Sequence, residues 1–403
     1  VTVVPATLNV LLLAACVPLA AALGVFVLQV LFALPARRRP PAAATATAAA
    51  ARPRLAVLVP AHDEEVGIGA TLARLLRQLR AGDRLLVVAD NCADQTADIA
   101  RAAGATVVER THATLRGKGF ALAFGIDALR ADPPELVVIV DADCDVEDGA
   151  LDALAACTAA TGRPAQARYL MQHRADANLS QRLAQFAWRV RNWTRPAGWQ
   201  RLGGPCQLMG SGMCFRWDAL RDAPLANASI VEDMKLGIDL ALQGQAPVFC
   251  DEALVTSLFP DAAAATRTQR TRWEHGHLEM IVHEALPLLA RGLRRGDRRV
   301  VLMALDLCVP PLALLAALLF AVLAASAVLA ALSPAIAAAR VAGTLALAFL
   351  GAVLTAWAAF GRDLVSATEL AAIPLYVVRK LPIYVRFLTG RQRHWVRTGR
   401  DPS

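Results

Sequence analysis

Three stretches of this chain, residues 1–36, 307–339 and 341–361, contain no charged side chain. Each is longer than the roughly 20 apolar residues needed to cross the hydrocarbon core of a bilayer, so three membrane spans are expected. A mean hydropathy of +0.43 and a hydrophobic content of 56% agree, both being high for a soluble chain. The first stretch lacks the basic n-region of a signal peptide, and its basic cluster Arg37, Arg38, Arg39 follows it, so it reads as a retained span. Lys and Arg gather on the cytoplasmic flank of a span. That cluster, together with Arg291, Arg294, Arg295, Arg298 and Arg299 before the second span, places the central region in the cytoplasm. Arg379, Lys380, Arg386, Arg391, Arg393, Arg397 and Arg400 after the last span do the same for the C-terminal segment, with the N-terminus outside. The expected setting is a bacterial inner (plasma) membrane crossed several times.

The formal charge of +8 is accounted for by attraction to anionic headgroups beside the spans; no basic stripe lies inside a nucleic-acid module, so no nucleic-acid partner is expected. The eight cysteines are scattered without a C-x-x-C pair, which supports neither a disulfide framework nor a zinc site. In a cytoplasmic domain the sequons at Asn178, Asn192 and Asn227 read as chance.

Between the spans the pattern changes. Pro40, Pro41 and an Ala/Thr run form a linker over 37–53, and a domain expected over 54–300 follows. Short apolar runs at 55–59, 84–88, 106–108 and 136–140 alternate with helical spacing at 69–79, 94–102 and 118–129. Such alternation predicts an α/β fold with an open, mostly parallel sheet, which binds ligands beyond the carboxyl ends of its strands. Polar residues collect at those ends: His62-Asp63-Glu64-Glu65, Asp90-Asn91 and Asp141-Ala-Asp143. One such carboxylate is an ordinary helix cap; three acidic strand ends in one sheet suggest a site. Asp141 and Asp143 straddle one residue after an apolar strand, so both project to one side with hard oxygens suited to Mg²⁺ or Mn²⁺. A divalent ion there offsets charge growing on a departing nucleoside diphosphate.

In order along the chain stand Val59-Pro-Ala-His-Asp-Glu-Glu65, Val87-Val-Ala-Asp-Asn91, Arg116-Gly-Lys-Gly119, Asp141-Ala-Asp143, Gly210-Ser-Gly-Met213, Val231-Glu-Asp233 and Gln269-Arg-Thr-Arg-Trp273. This succession resembles the GT-A catalytic domain of family 2 glycosyltransferases, and its later motifs resemble the membrane-bound cellulose-, hyaluronan- and poly-N-acetylglucosamine-synthase-like members. The resemblance covers about residues 54–300. It implies a GT-A (Rossmann-like) domain that moves a hexose or N-acetylhexosamine, with inversion, from a nucleotide-sugar, commonly a UDP-sugar, to a membrane-associated glycan. Asp63, Glu65 and Asp90 would meet the nucleoside, Lys118 the uracil or phosphates, and Asp141 and Asp143 the metal, Asp143 more directly. Asp233 would be the general base and Glu232 its orienting neighbour; the bland reading of that pair is acids at a helix N-terminus. Arg272 would hold the diphosphate, while Gln269, Trp273 and the loop Gly210, Ser211, Gly212, Met213 would hold the acceptor. A helix resting on lipid would also want Trp and Arg. His275 and His277, at i and i+2, do not share a helical face and are given no metal role. The chain departs from the family in having Ala89 before Asp90 where relatives carry two acids, and Asp63 where Asn is common, which leaves the nucleoside contacts open.

The segment Asn178–Trp199 mixes Arg with Phe186, Trp188, Trp193 and Trp199, a pattern predicted to ride the headgroup region. The segment Leu375–Trp395, broken by Pro374 and Pro382, is predicted to do the same within a cytoplasmic basic amphipathic tail, 363–403. Residues 301–362 are predicted as a two-helix transmembrane hairpin, with Asp306 at its mouth expected to snorkel or hydrate and a buried functional carboxylate as the less favoured alternative. Polymer-secreting synthases usually use more than three spans, so the chain is expected to need a partner subunit, to form a homo-oligomer, or to add a single sugar to a polyprenyl-phosphate, ceramide or diacylglycerol lipid. An inactive scaffold or a small transporter is the competing class, disfavoured by the complete set of metal and base carboxylates.

Overall fold

The computed structural model describes residues 3–35, 52–226, 231–260 and 263–389. The linker, the cluster Arg37–Arg39, the sequon at Asn227, and Arg391, Arg393, Trp395, Arg397 and Arg400 lie outside the described residues. The chain divides into two compact units.

The unit formed from residues within 52–175 and 203–273 carries an eight-stranded sheet. Its strands are β1 (Leu55–Ala61), β2 (Arg84–Asp90), β3 (Thr106–Arg110), β4 (Leu136–Ile139), β5 (Cys144–Val146), β6 (Ala165–Gln172), β7 (Met213–Arg216) and β8 (Val248–Leu258). Their order is β3-β2-β1-β4-β7-β6-β8-β5. The apolar runs seen in the sequence become β1, β2 and β4, buried on both faces as strands flanked by crossover helices must be. β1 pairs in parallel with β2 and β4, and β3 with β2, but β7 runs antiparallel to β4 and β6 and β5 antiparallel to β8. The mostly parallel expectation holds: β6 also pairs in parallel with β8, and β1, β2 and β3 are each followed by a helix.

Those helices form where predicted. Ile68–Gln78 buries Ile68, Leu72 and Leu75 at i, i+4 and i+7. Thr96–Ala102 starts two residues later than expected because the Asp94 carboxylate accepts the Thr96 N–H at 3.0 Å, holding 94 outside the helix. Lys118–Leu129 lies so close to the sheet that a Cβ on Gly125 would stand 2.5 Å from Leu58 Cδ1. One core, including Leu58, Val88, Ile126, Ile139, Phe215 and Leu236, joins this helix and Glu232–Leu242 to the sheet.

The second unit combines residues within 3–35, 176–202 and 274–389. It holds three helices long and apolar enough to cross a membrane, Val4–Ala33, Leu312–Leu332 and Ala337–Phe360. The second starts later than the charge-free stretch suggested: the helix Arg298–Leu307 ends before Pro310-Pro311, and Pro311 caps the next helix. Residues 176–202 and 274–300, which the sequence groups with the catalytic domain, pack within this unit. The helix Leu179–Arg189, the π-helical turn Val190–Thr194 and the helix Arg195–Arg201 pack inward: Phe186, Val190 and Trp199 are buried with Leu23, Phe26 and Val30. A Cβ on Gly198 would stand 1.8 Å from the Gln29 carbonyl oxygen, so only glycine permits this approach. Asp306 is buried rather than hydrated: it accepts hydrogen bonds from Gln29 Nε2 at 2.6 Å and Arg195 Nη2 at 2.9 Å. A buried carboxylate needs such partners. An amphipathic exterior does occur on Leu286–Arg295, where Leu286 and Leu293 are exposed beside arginines, and on Ile373–Thr389. The latter continues through Pro382, and Pro374 sits in its first turn, where no N–H is required.

Candidate active site

The site lies at the carboxyl edge of β1, β2 and β4, and left-handed residues bend the chain there. Asp63 and Asn91, following β1 and β2, have φ of 51° and 53°, a region Asp and Asn tolerate better than most residues. At this end the carboxylates fasten loops together. Asp63 Oδ1 accepts the Ala93 N–H at 2.7 Å, and Glu65 Oε2 accepts the Gln95 N–H at 3.1 Å. Asp90 is buried and pairs with Arg110 Nη1 at 2.5 Å. Arg110, on the end of β3 with its guanidinium 5.7 Å from the centre of the Phe120 ring, gives no sequence signal; a lone arginine in a short strand carries no motif.

After β4 the chain passes through Asp141 and Asp143. The Asp141 N–H donates to Ser211 Oγ at 3.1 Å, and Ser211 is fully buried. Gln166 on β6, also fully buried, donates from Nε2 to the Ser211 carbonyl at 2.9 Å and accepts the Met209 N–H at 2.8 Å. Gly212 has φ +68°, donates to the Ile139 carbonyl at 2.9 Å, and would place a Cβ 2.8 Å from Ala167 Cβ. Ser211 and Gly212, just before β7, and Met213, its first residue, are buried, and Ser211 supports the D-x-D turn. Gly210 remains at the site: a Cβ there would stand 3.5 Å from Asp233 Oδ2 and 3.6 Å from Lys118 Nζ. Gln166 gives no sequence signal either, since a polar residue in a strand is unremarkable until its burial is known.

Lys118 opens its helix and reaches across the site. Its ammonium pairs with Asp141 and donates to the Gly210 carbonyl at 2.7 Å. Burial pulls the Lys118 pKa down, but Asp141, Glu232 and Asp233 outweigh it and leave the value above ordinary. Glu232 and Asp233 begin the helix Glu232–Leu242, and Asp233 Oδ1 accepts the Met234 N–H at 2.8 Å, which fixes the carboxylate. Burial, then the charge of Asp233, pushes Glu232 up to about 7. Arg272, in the helix Ala263–Met280, is lowered by burial against the opposing pull of Glu232, Asp141 and Asp233. Its guanidinium nonetheless stays charged, so it supplies a fixed cation to the same cluster. Gln269 and Trp273 are half-buried on either side of it in sequence. Lys118, Glu232 and Asp233 line a small open crevice together with the apolar Leu122, Met213, Pro224, Leu225 and Leu236.

Asp141, Asp143 and Cys144 present ligand atoms within 4.8 Å of one another. Burial and the charge of Asp141 push Asp143 up to about 6, the strain of two close carboxylates that a cation relieves. Cys144 is different: burial pushes its thiol well up, and Sγ shares a hydrogen bond with Ser211 Oγ at 3.1 Å, so it stays protonated. The donor set is then two hard carboxylates, which fits Mg²⁺ or Mn²⁺ completed by substrate oxygens. His275 and His277 are buried in the other unit, and His275 Nε2 lies 2.8 Å from the Ile383 carbonyl oxygen.

Residues 53–276 match the family described as glycosyltransferase like family 2. In structure the chain is similar to a mannosyltransferase from Pyrobaculum calidifontis solved with GDP-Man and Mn²⁺, with a TM-score of 0.56 and 18% identity over 94% of this chain and 100% of that one. It is also similar to glucosyl-3-phosphoglycerate synthase from Mycobacterium tuberculosis, solved with Mn²⁺, UDP and phosphoglyceric acid, at 20% identity, a TM-score of 0.38, and 59% and 84% coverage. No curated protein matches the sequence significantly. The sheet unit has the GT-A fold that the motif order implied.

Proposed function

We propose, from the premise that this chain belongs to the family 2 glycosyltransferases, that it transfers a hexose or N-acetylhexosamine, with inversion, from a nucleotide-sugar to a membrane-associated glycan. The observation that carries this reading is the gathering of Asp141, Glu232, Asp233, Lys118 and Arg272 into one electrostatic cluster at the strand edge. Asp233 accepts the proton of the acceptor hydroxyl as its oxygen bonds to C1 of the donor sugar. The C1–O bond to the diphosphate breaks on the opposite face. A positioned carboxylate base contributes about 10²–10⁴-fold. Glu232, holding its proton near neutral pH, keeps a second negative charge away from the base. Arg272 and Lys118 meet charge growing on the leaving diphosphate. Asp141 and Asp143 would hold Mg²⁺ or Mn²⁺, which supplies Lewis-acid assistance to that leaving group. The GDP-Man and Mn²⁺ bound by the similar mannosyltransferase support a nucleotide-sugar donor and a divalent ion, with GDP- and UDP-sugars the donors to test first.

The three apolar helices favour a bacterial plasma-membrane protein whose catalytic unit lies on the arginine-rich, cytoplasmic side. A second reading is single addition to a lipid acceptor, which an apolar anchor of this kind would equally serve. Detergent-purified protein incubated with UDP- and GDP-sugars, Mn²⁺ and a membrane lipid extract separates the two by product size. A high-mass glycan supports the polymer reading, and a single glycolipid band supports the second; nucleotide turnover without any glycosylated product contradicts both.

A further inference from the structure

Lys118 is shared between two sets of carboxylates. Its ammonium pairs with Asp141 of the D-x-D turn, with side-chain exposures of 21% and 28%, and bonds the Gly210 carbonyl at 2.7 Å. The Cβ position of Gly210 lies 3.6 Å from Lys118 Nζ and 3.5 Å from Asp233 Oδ2, so the same ammonium lies near Asp233, and the charges of Glu232 and Asp233 both act on it. A lysine ammonium is a point charge with three donors and no acceptor. Any cation ligated by Asp141 and Asp143 must therefore share Asp141 with a fixed positive charge a few ångströms away, where like-charge repulsion is large against thermal energy.

We propose that Lys118 sets the divalent-cation affinity of the D-x-D turn by competing for Asp141, so that a cation is held weakly until a diphosphate gives the ammonium another partner. The inference rests on the reading of Asp141 and Asp143 as cation ligands, and it adds a built-in order: cation and nucleoside diphosphate bind with positive coupling through one side chain. By linkage that coupling is reciprocal. Removing the ammonium exposes Asp141 to the cation and abolishes the contribution of Lys118 to the coupling, while a charge-conserving replacement retains both.

Mn²⁺ binding to the detergent-solubilised full chain is measured by calorimetry, first with Mn²⁺ alone and then with UDP or GDP present. Lys118→Met is expected to bind Mn²⁺ alone about tenfold more tightly than wild type and to gain less affinity from nucleotide. Lys118→Arg is expected to stay weak. Unchanged or weaker Mn²⁺ binding in Lys118→Met, with thermal unfolding showing a folded protein, overturns the proposal. If Lys118→Met does not fold, Lys118→Gln takes its place, and the wild type alone still decides: Mn²⁺ bound as tightly without nucleotide as with it overturns the proposal. Mn²⁺ bound by no variant under any condition overturns the cation reading of Asp141 and Asp143 itself, and this proposal with it.

Discussion

Replacing Glu232 by Gln should stabilise the protein at alkaline pH, by an amount the structure sets. Burial, and secondarily the charge of Asp233, raises the Glu232 carboxyl from an ordinary 4.5 to about 7. The folded state then binds this proton more tightly than the unfolded chain does. The associated stability is fully present below pH 4.5, falls as pH rises between the two values, and is lost above about 7. Each tenfold difference in proton affinity between the folded and unfolded states is worth about 1.4 kcal/mol, so the loss is on the order of 3 kcal/mol. Glutamine has nothing to ionise. Thermal unfolding of both proteins in the same detergent, with EDTA to exclude divalent ions, should give similar midpoints near pH 4.5 and a growing advantage for Glu232→Gln from about pH 5 to 8. Equal midpoints across the whole range would show that Glu232 is not held in an apolar, anionic setting, and the reasoning about the E-D pair would fail with it. A gain in stability accompanied by lost turnover is the expected signature of a site residue kept at a cost in stability.

Three further outcomes are expected. Asp233→Asn should lower kcat by about 10²–10⁴-fold with little change in KM, read from initial rates of nucleotide release. Gly212→Ala should destabilise by about 2–4 kcal/mol in denaturant titration, since its Cβ would meet Ala167 and Val255 within 3 Å at a positive φ. Arg195→Met, which leaves Asp306 and Gln29 buried without their cation, should cost about 3–5 kcal/mol of thermal stability, and the double variant Arg195→Met, Asp306→Leu should recover much of it.

The three apolar helices, the first four strands and the helix Lys118–Leu129 are legible in the sequence because each is set by local hydrophobic pattern, which the chain carries at full strength. The D-x-D and E-D carboxylates are legible as motifs, and the structure places Asp141, Glu232 and Asp233 around Lys118. What escapes depends on burial and long-range partners. Arg195 and Asp306, 111 residues apart, read separately as a headgroup arginine and a hydrated aspartate, and only their meeting makes both interior groups. Ser211 and Gly212 read as a glycine loop, and the support that Ser211 gives the D-x-D turn shows only in its burial and its bond to the Asp141 N–H. Gln166 and Arg110 are polar residues in strands without a motif, so nothing in their spacing announces the hydrogen bonds they make.

The most direct test of the central claim is nucleoside diphosphate release by the purified protein across UDP- and GDP-sugars, with Mn²⁺ and with EDTA, in wild type and Asp143→Asn. Release from at least one donor that requires Mn²⁺ and disappears in a folded Asp143→Asn protein is expected. Release that persists in EDTA and in that variant would contradict a glycosyl transfer organised by a cation on these carboxylates.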